Sequence, residues 1–218
     1  MKKVKLKNSK KEYNVGKIIC VGRNYPEHAK ELGNEVPEFP IIFLKPASNL
    51  AYDGNEIVYP NYSNEMHHEV ELVLLIGKLI KNATEDEAEK SIIGYGVGLD
   101  MTLRDLQTQL KSKGHPWTLA KCFDTSAVVS EFVSTDTYKY NSQEIIALYK
   151  NGNLQQHSSL NKMIFSPVKI VKYISEKMTL EPGDLIFTGT PEGVSKVERG
   201  DVLKASISNI GELTNVIK

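Results

Sequence analysis

Cysteine is scarce in this chain: Cys20 and Cys122 are the only two, far apart and without metal-ligand spacing. A disulfide framework and a thiolate zinc site are thereby excluded, and reduced thiols of a cytoplasmic protein are the expectation. Charge of one sign is also lacking, since 27 Lys and Arg balance 27 Asp and Glu. No basic excess draws the protein to nucleic acid or to an anionic membrane. Long apolar runs are missing as well. The opening "MKKVKLKNSKK" is basic, but no hydrophobic stretch follows it, so it reads as a solvated tip over residues 1–16 and not as a signal or anchor. No linker, repeat or low-complexity tract divides the rest. With 218 residues, 40% hydrophobic and 25% charged, the composition is that of one globular domain, taken as residues 17–218.

Pattern and punctuation give a coarse order of elements. "KIICVG" (17–22) reads as a buried strand, "NYPEHAKELG" (24–33) as a short helix stopped at Gly33, and "IIFL" (41–44) as another strand. Thr84 and Glu87 stand in capping-box spacing and start a further helix. "SIIGYGVGLDMT" returns as a strand and "TLRDLQTQLKSKG" (102–114) as an amphipathic helix. Beyond Ser126 β signals dominate, with Asn151-Gly152 marking a hairpin and Ser166-Pro167 opening one more helix. The fold class is therefore α+β and β-rich, with a few short helices.

The segment "HHEVELVLLIG" (67–77) carries the first chemical signal. In a strand, Glu69, Glu71, Val73 and Leu75 share one side, while His68, Val70, Leu72, Leu74 and Ile76 share the other. Both faces turn apolar beyond Glu71, the pattern of a strand covered on two sides. Carboxylates at the edge of such an interior need a partner: an ion pair, a proton or a cation. In "GYGVGLDMT", Gly94, Gly96, Gly98 and Asp100 likewise share one face. The usual reason for a glycine face is close approach of a backbone or a ligand, so it reads as a bare track ending at Asp100. If the two strands are neighbours, three carboxylates converge. Like charges that close force protons on unless a divalent ion lies between them, and an all-oxygen set suits Mg²⁺, Mn²⁺ or Ca²⁺ over zinc.

Six motifs in order, "CVGRNYPEHAKELG", "IIFLKP", "HHEVEL", "GYGVGLDMT" with "RDLQ", "GHPWTLAKCFDTSA" and "GDLIFTGTPEGV", resemble the fumarylacetoacetate hydrolase family over residues 17–218, above all its short, single-domain acylpyruvase subgroup. The resemblance implies a mixed β-sandwich roll, a homodimer, and Mg²⁺ or Mn²⁺ held by Glu69, Glu71 and Asp100. It also implies a small 2-oxo acid substrate, whose enolate a Lewis acid stabilises when a C–C bond breaks or a carboxylate leaves.

Other roles follow by the same route. His28 and Glu31, three apart on one helix face, resemble the family's water-activating pair on a segment over the substrate. Lys121, in the apolar setting "WTLAKCF", matches the lysine near the metal, able to stabilise an oxyanion or enolate oxygen. Arg23 and Gln107 match polar substrate contacts, Lys45 is placed at a site rim after four apolar residues, and Thr190 belongs to a glycine-rich turn suited to a carboxylate. His67 and Cys122 read as structural, His115 as a hinge residue over the site, and Trp117 as core or interface. Before "MIFS", Gln155 or Gln156 with Ser158 or Ser159 fits the family pattern only loosely. That departure concerns the substrate's distal group.

Three activities compete: acylpyruvate hydrolysis with oxaloacetate decarboxylation, tautomerisation or isomerisation on the same scaffold, and a non-catalytic metal-binding protein. The retained set Glu69, Glu71, Asp100, Lys121 and His28 speaks against the last.

Overall fold

The computed structural model describes residues 1–218. The chain opens with a hairpin of β1 (Lys3–Lys5) and β2 (Glu12–Asn14). The expected solvated tip is thus corrected: Val4, Leu6 and Val15 are buried, and Leu6 bridges to Phe132. Lysines alternating with Val4 and Leu6 are themselves a strand signal, one wet face and one dry, that the charge of the segment conceals. In β3 (Lys17–Gly22), Ile18 and Cys20 point into one core and Ile19 and Val21 into another. Helix α1 (Pro26–Glu31) has proline in its first turn, where no amide partner is lost, and the chain leaves it through Gly33 at φ +64°. Strand β4 (Ile41–Pro46) pairs with β3 and forms a sheet edge.

After β5 (Leu50–Tyr52) and β6 (Glu56–Ile57), the glutamate-bearing region is two strands, β7 (Met66–His67) and β8 (Val70–Ile76). Helix α2 (Glu85–Ser91) starts at the Thr84–Glu87 capping box, with both reciprocal bonds formed. It feeds β9 (Ile92–Asp100), then β10 (Thr102–Leu103) and α3 (Arg104–Ser112). The expected helix start at Thr102 gives way because Thr102 and Leu103 pair with His67 and Met66. Helix α4 (Thr118–Lys121), β11 (Ala127–Val129) and β12 (Val133–Ser134) follow. The β13 (Ile145–Lys150) and β14 (Asn153–Ser159) hairpin turns through Asn151 and Gly152, both at positive φ, as the dipeptide demands. Helix α5 (Pro167–Lys177) is capped by the Ser166 hydroxyl, which accepts from the Lys169 amide. Strands β15 (Leu185–Phe187), β16 (Val202–Ile207) and β17 (Gly211–Ile217) complete the chain.

One sheet runs β4-β3-β15-β8-β9-β11-β5, with β12 on β9, and mixes parallel with antiparallel pairs. A second runs β14-β13-β16-β17-β6. Between them lies the main core, where Leu72, Leu74, Ile76 and Val97 meet Leu148, Leu203, Ala205 and Leu213. The outer face of the first sheet carries a smaller core of Val73, Leu75, Phe132, Leu185 and Phe187, roofed by the N-terminal hairpin. This is the β-rich α+β architecture expected, with both faces of β8 covered. No helix is long and apolar enough to cross a membrane.

The glycine face of β9 is not a bare track. A Cβ on Gly98 would come within 2.5 Å of Val73 and 2.6 Å of Phe187, and one on Gly96 within 3.1 Å of the Phe132 ring. Neighbouring side chains fill the space, because an aromatic ring laid across a strand needs the room that three missing Cβ atoms leave.

Candidate active site

Cross-strand register brings the carboxylates together. Glu71 lies opposite Gly98, and the Asp100 amide donates to the Glu69 carbonyl at 2.9 Å, so Glu69 faces Asp100 across the β8–β9 pair. Oxygens of Glu69, Glu71 and Asp100 fall within 4.8 Å of one another, and all three residues are buried. Glu69 itself occupies the step where the chain leaves β10 as pairing partner and takes up β9.

Cations compensate part of this charge. Lys121, at the end of α4, donates to Glu69 Oε2 at 2.8 Å, Asp100 Oδ2 at 2.7 Å and Thr102 Oγ1 at 2.6 Å. Its ring neighbour is Phe43, 4.8 Å from the ammonium. Arg104, at the first turn of α3, donates to Glu69 Oε1 and to Gln107 Oε1. Burial works against charge on both Glu69 and Lys121. Attraction to Lys121 and Arg104 outweighs it at Glu69, and attraction to Asp100 and Glu69 outweighs it at Lys121, holding the carboxyl well below its usual range and the ammonium above its own. Glu71 is different. Burial, then the charges of Asp100 and Glu69, push its carboxyl well up, and its one strong donor is the Gly189 amide at 2.6 Å. Three buried carboxyl groups that converge through oxygen donors only, one of them, Glu71, with no cation on it, fit a hard divalent cation.

These groups line a cavity of about 110 Å³, together with Arg23, His28, Gln107, Thr190 and the side walls Phe43, Trp117 and Leu32. Its size suits a small organic acid. Helix α1 forms one wall. His28 is 4% exposed, and its Nδ1 donates to Glu31 Oε2 at 3.3 Å, which leaves Nε2 as the free acceptor. Glu31 also accepts from the Gly193 amide at 3.1 Å, pinning α1 to the loop after β15. Burial lowers the His28 pKa, against the opposing pull of Glu69 and Glu31. Arg23 sits at the end of β3 with φ +58°, a strained position for a non-glycine residue that turns its side chain toward the cavity it lines.

One expectation changes. Lys45 is not at a rim: its Nζ is wholly buried, 2.6 Å from Asp100 Oδ1 and donating to the carbonyls of Ser126 at 2.6 Å and Met101 at 3.1 Å. Strand alternation explains it. Lys45 lies opposite Ile18, on the sheet face that continues through Leu185 and Leu75 to Glu71 and Asp100, while Leu44 takes the other side and is exposed. Lys121, for its part, has all three ammonium protons committed to Glu69, Asp100 and Thr102, which makes it a holder of the carboxylates before it is a donor to substrate.

Arg104, Phe43 and Trp117 are site residues that sequence reasoning passed over. Arg104 had a signal, since two buried glutamates call for cations and "RDLQ" follows Asp100 closely. Of the loosely fitting "NLQQHSS" residues, Gln156 is the buried one, donating to Thr190 Oγ1 at 2.8 Å. His67 and His115 lie outside the cavity lining, and the Cys122 thiol donates to the Leu44 carbonyl.

The model of the fumarylacetoacetate (FAA) hydrolase C-terminal family matches residues 17–218. An oxaloacetate tautomerase of Escherichia coli is 40% identical over 207 residues, covering 94% of each chain. A mitochondrial oxaloacetate tautomerase of Homo sapiens is 42% identical, over 90% of this chain and 89% of that protein. The crystal structure of fumarylpyruvate hydrolase from Pseudomonas aeruginosa, in complex with Mn²⁺ and pyruvate, superposes with a TM-score of 0.95 at 38% identity, covering 99% of this chain and 95% of that one. A 2-hydroxyhepta-2,4-diene-1,7-dioate isomerase from Mycobacterium marinum superposes at 0.82 with 37% identity, over 93% and 74%.

Proposed function

Because the chain belongs to the fumarylacetoacetate hydrolase family, we propose that it is a divalent-metal-dependent enzyme acting on small 2-oxo acids. The reaction we favour is cleavage of a C–C bond in a short acylpyruvate, with oxaloacetate decarboxylation as a second activity. The observation that carries this is one small cavity holding an acidic triad, a buried histidine with an orienting carboxylate, and an arginine. Glu69, Glu71 and Asp100 would hold Mg²⁺ or Mn²⁺, which when bound supplies Lewis-acid polarisation of the 2-oxo group.

The chain's own residues do the rest. Glu31 fixes the His28 tautomer, so Nε2 can take a proton from water as that water adds to the distal carbonyl. The bond between the acyl carbon and the methylene then breaks, releasing a carboxylic acid and the enolate of pyruvate, which the proton returned by His28 converts to pyruvate. Arg23 faces the developing negative charge, and Thr190 with the backbone of its turn receives the substrate carboxylate. Gln107, held by Arg104, is a further polar contact. Lys121 keeps Glu69 and Asp100 in place and contributes its positive charge at the cavity wall.

A second reading, oxaloacetate enol–keto tautomerisation, is supported by the relatives that carry that name. It needs the same enolate stabilisation and a proton shuttle but no water attack. We also propose a homodimer in the cytoplasm. The exposed apolar residues Phe39, Leu44 and Leu119, on and beside the edge strand β4, support an association face.

Steady-state assay of acetylpyruvate, fumarylpyruvate and oxaloacetate with Mg²⁺ or Mn²⁺ tests the proposal. Turnover of an acylpyruvate that is lost in His28→Ala supports hydrolysis. Enol–keto exchange without acylpyruvate cleavage favours the tautomerase, and full activity after every divalent ion has been stripped overturns the metal mechanism.

A further inference from the structure

Gln156 is buried in β14, with no exposed surface, and all four of its hydrogen-bonding positions are filled. Its Oε1 accepts from the Val70 amide at 3.1 Å and from His68 Nδ1 at 2.9 Å. Its Nε2 donates to Thr190 Oγ1 and to the Pro191 carbonyl, both at 2.8 Å. The orientation of this amide has no alternative. Val70 N–H can only donate and Pro191 C=O can only accept, so reversing the amide would set donor against donor and acceptor against acceptor. The His68 tautomer follows from it. Nδ1 must carry the proton, and Nε2 faces the Ser195 hydroxyl at 2.9 Å.

The consequence reaches the cavity. Thr190 Oγ1 accepts a hydrogen bond from Gln156 through one lone pair, and its own hydroxyl proton has no protein acceptor. Thr190 is 3% exposed and lines the cavity. A hydroxyl offers one proton and two lone pairs; here Gln156 occupies one lone pair and the proton is left for a group in the cavity.

We propose that Gln156 and His68 are positioning residues that hold the Thr190 hydroxyl with its proton free to donate to an anionic oxygen in the cavity, namely the carboxylate of a 2-oxo acid. The inference rests on the proposed function for the identity of the anion, while the polarity of the donor chain rests on the buried contacts alone. It also gives the loosely matching "NLQQHSS" segment a function, since Gln156 acts on the ligand through Thr190.

A double-mutant cycle tests it, with wild type, Thr190→Val, Thr190→Ser, Gln156→Met and the Gln156→Met/Thr190→Val pair assayed on the best 2-oxo acid substrate with Mn²⁺. Thr190→Val should raise KM roughly 10- to 100-fold with a much smaller change in kcat, the loss of one bond to a charged acceptor. Thr190→Ser should return KM to near the wild-type value. Gln156→Met should raise KM when Thr190 is present and add little on top of Thr190→Val, because its effect is transmitted through the missing hydroxyl. Additive effects, or an unchanged KM in Thr190→Val, overturn the inference, and the second result does so even if Gln156→Met fails to fold. Wild-type protein that turns over no 2-oxo acid removes the proposed function, and this inference with it. Active wild type with an additive cycle removes this inference alone.

Discussion

The two ends of the β8–β9 strand pair solve opposite packing problems. At one end Glu69, Glu71 and Asp100 crowd charge into a dry interior, where Lys121, Arg104 and Lys45 answer it in part. At the other, Gly94 and Gly96 remove side chains altogether, and Leu6 and Phe132 occupy the space. Gly98 stands between, opposite Glu71 and packed under Val73 and Phe187. The same strand face is therefore electrostatic at its end and steric along its length. Rigid packing behind the triad keeps three like charges converging when repulsion alone would spread them.

Breaking the electrostatic end has the largest expected effect. Chelation of divalent ions, or Asp100→Asn, should lower turnover of the best 2-oxo acid by roughly a thousandfold or more, the scale of losing a principal charge-stabilising element. Readdition of Mn²⁺ should restore the chelated wild type and not the variant. Lys45→Met removes one partner of a fully buried pair. Leaving Asp100 short of positive charge should destabilise metal-free protein by about 3–5 kcal/mol in urea unfolding. Added Mn²⁺ should recover part of the loss, and the Lys45→Met/Asp100→Asn double variant should lose less than the sum of its parts. Equal, metal-independent losses would mean that Lys45 acts through packing only.

The steric end is tested by Gly98→Ala, whose Cβ would meet Val73 at 2.5 Å and Phe187 at 2.6 Å. Overpacking of this kind is expected to cost about 1–3 kcal/mol and so lower Tm by several degrees. If the support argument is right, Mn²⁺ affinity measured by calorimetry falls with it; stability lost with metal affinity unchanged would separate the two ends. The smallest effect concerns pH. Burial lowers the His28 pKa and Glu31 raises it. Removing that carboxylate in Glu31→Gln should move the acid limb of kcat/KM to still lower pH while reducing the plateau. A limb that stays in place or moves up would show that His28 is not the group titrating.

Much of this was legible in residue order. Period-two alternation located Glu69 and Glu71 on one strand face, and the capping box, the Asn151-Gly152 turn and the Ser166-Pro167 helix start were local signals that the structure repeats. Lys45 shows the limit. Four apolar residues before it suggested a rim, yet only its pairing with β3 decided which way it faces. The N-terminal hairpin was hidden in the same way, because lysines on its wet face masked Val4 and Leu6 on its dry one. The glycine face was visible, but what fills it comes from Leu6 and Phe132, in segments well before and well after it in sequence.

Taken alone, the order of amino acids determined the strand-rich class, the family and which three carboxylates to look for, since alternation, turn chemistry and motif order are local and survive without partners. Which cation answers which carboxylate, that Lys121 is tied down by its neighbours, and that Gln156 donates to the Thr190 hydroxyl were decided only by tertiary contacts. Hydrogen-bond polarity and burial are properties of neighbours, and these neighbours lie far away along the chain.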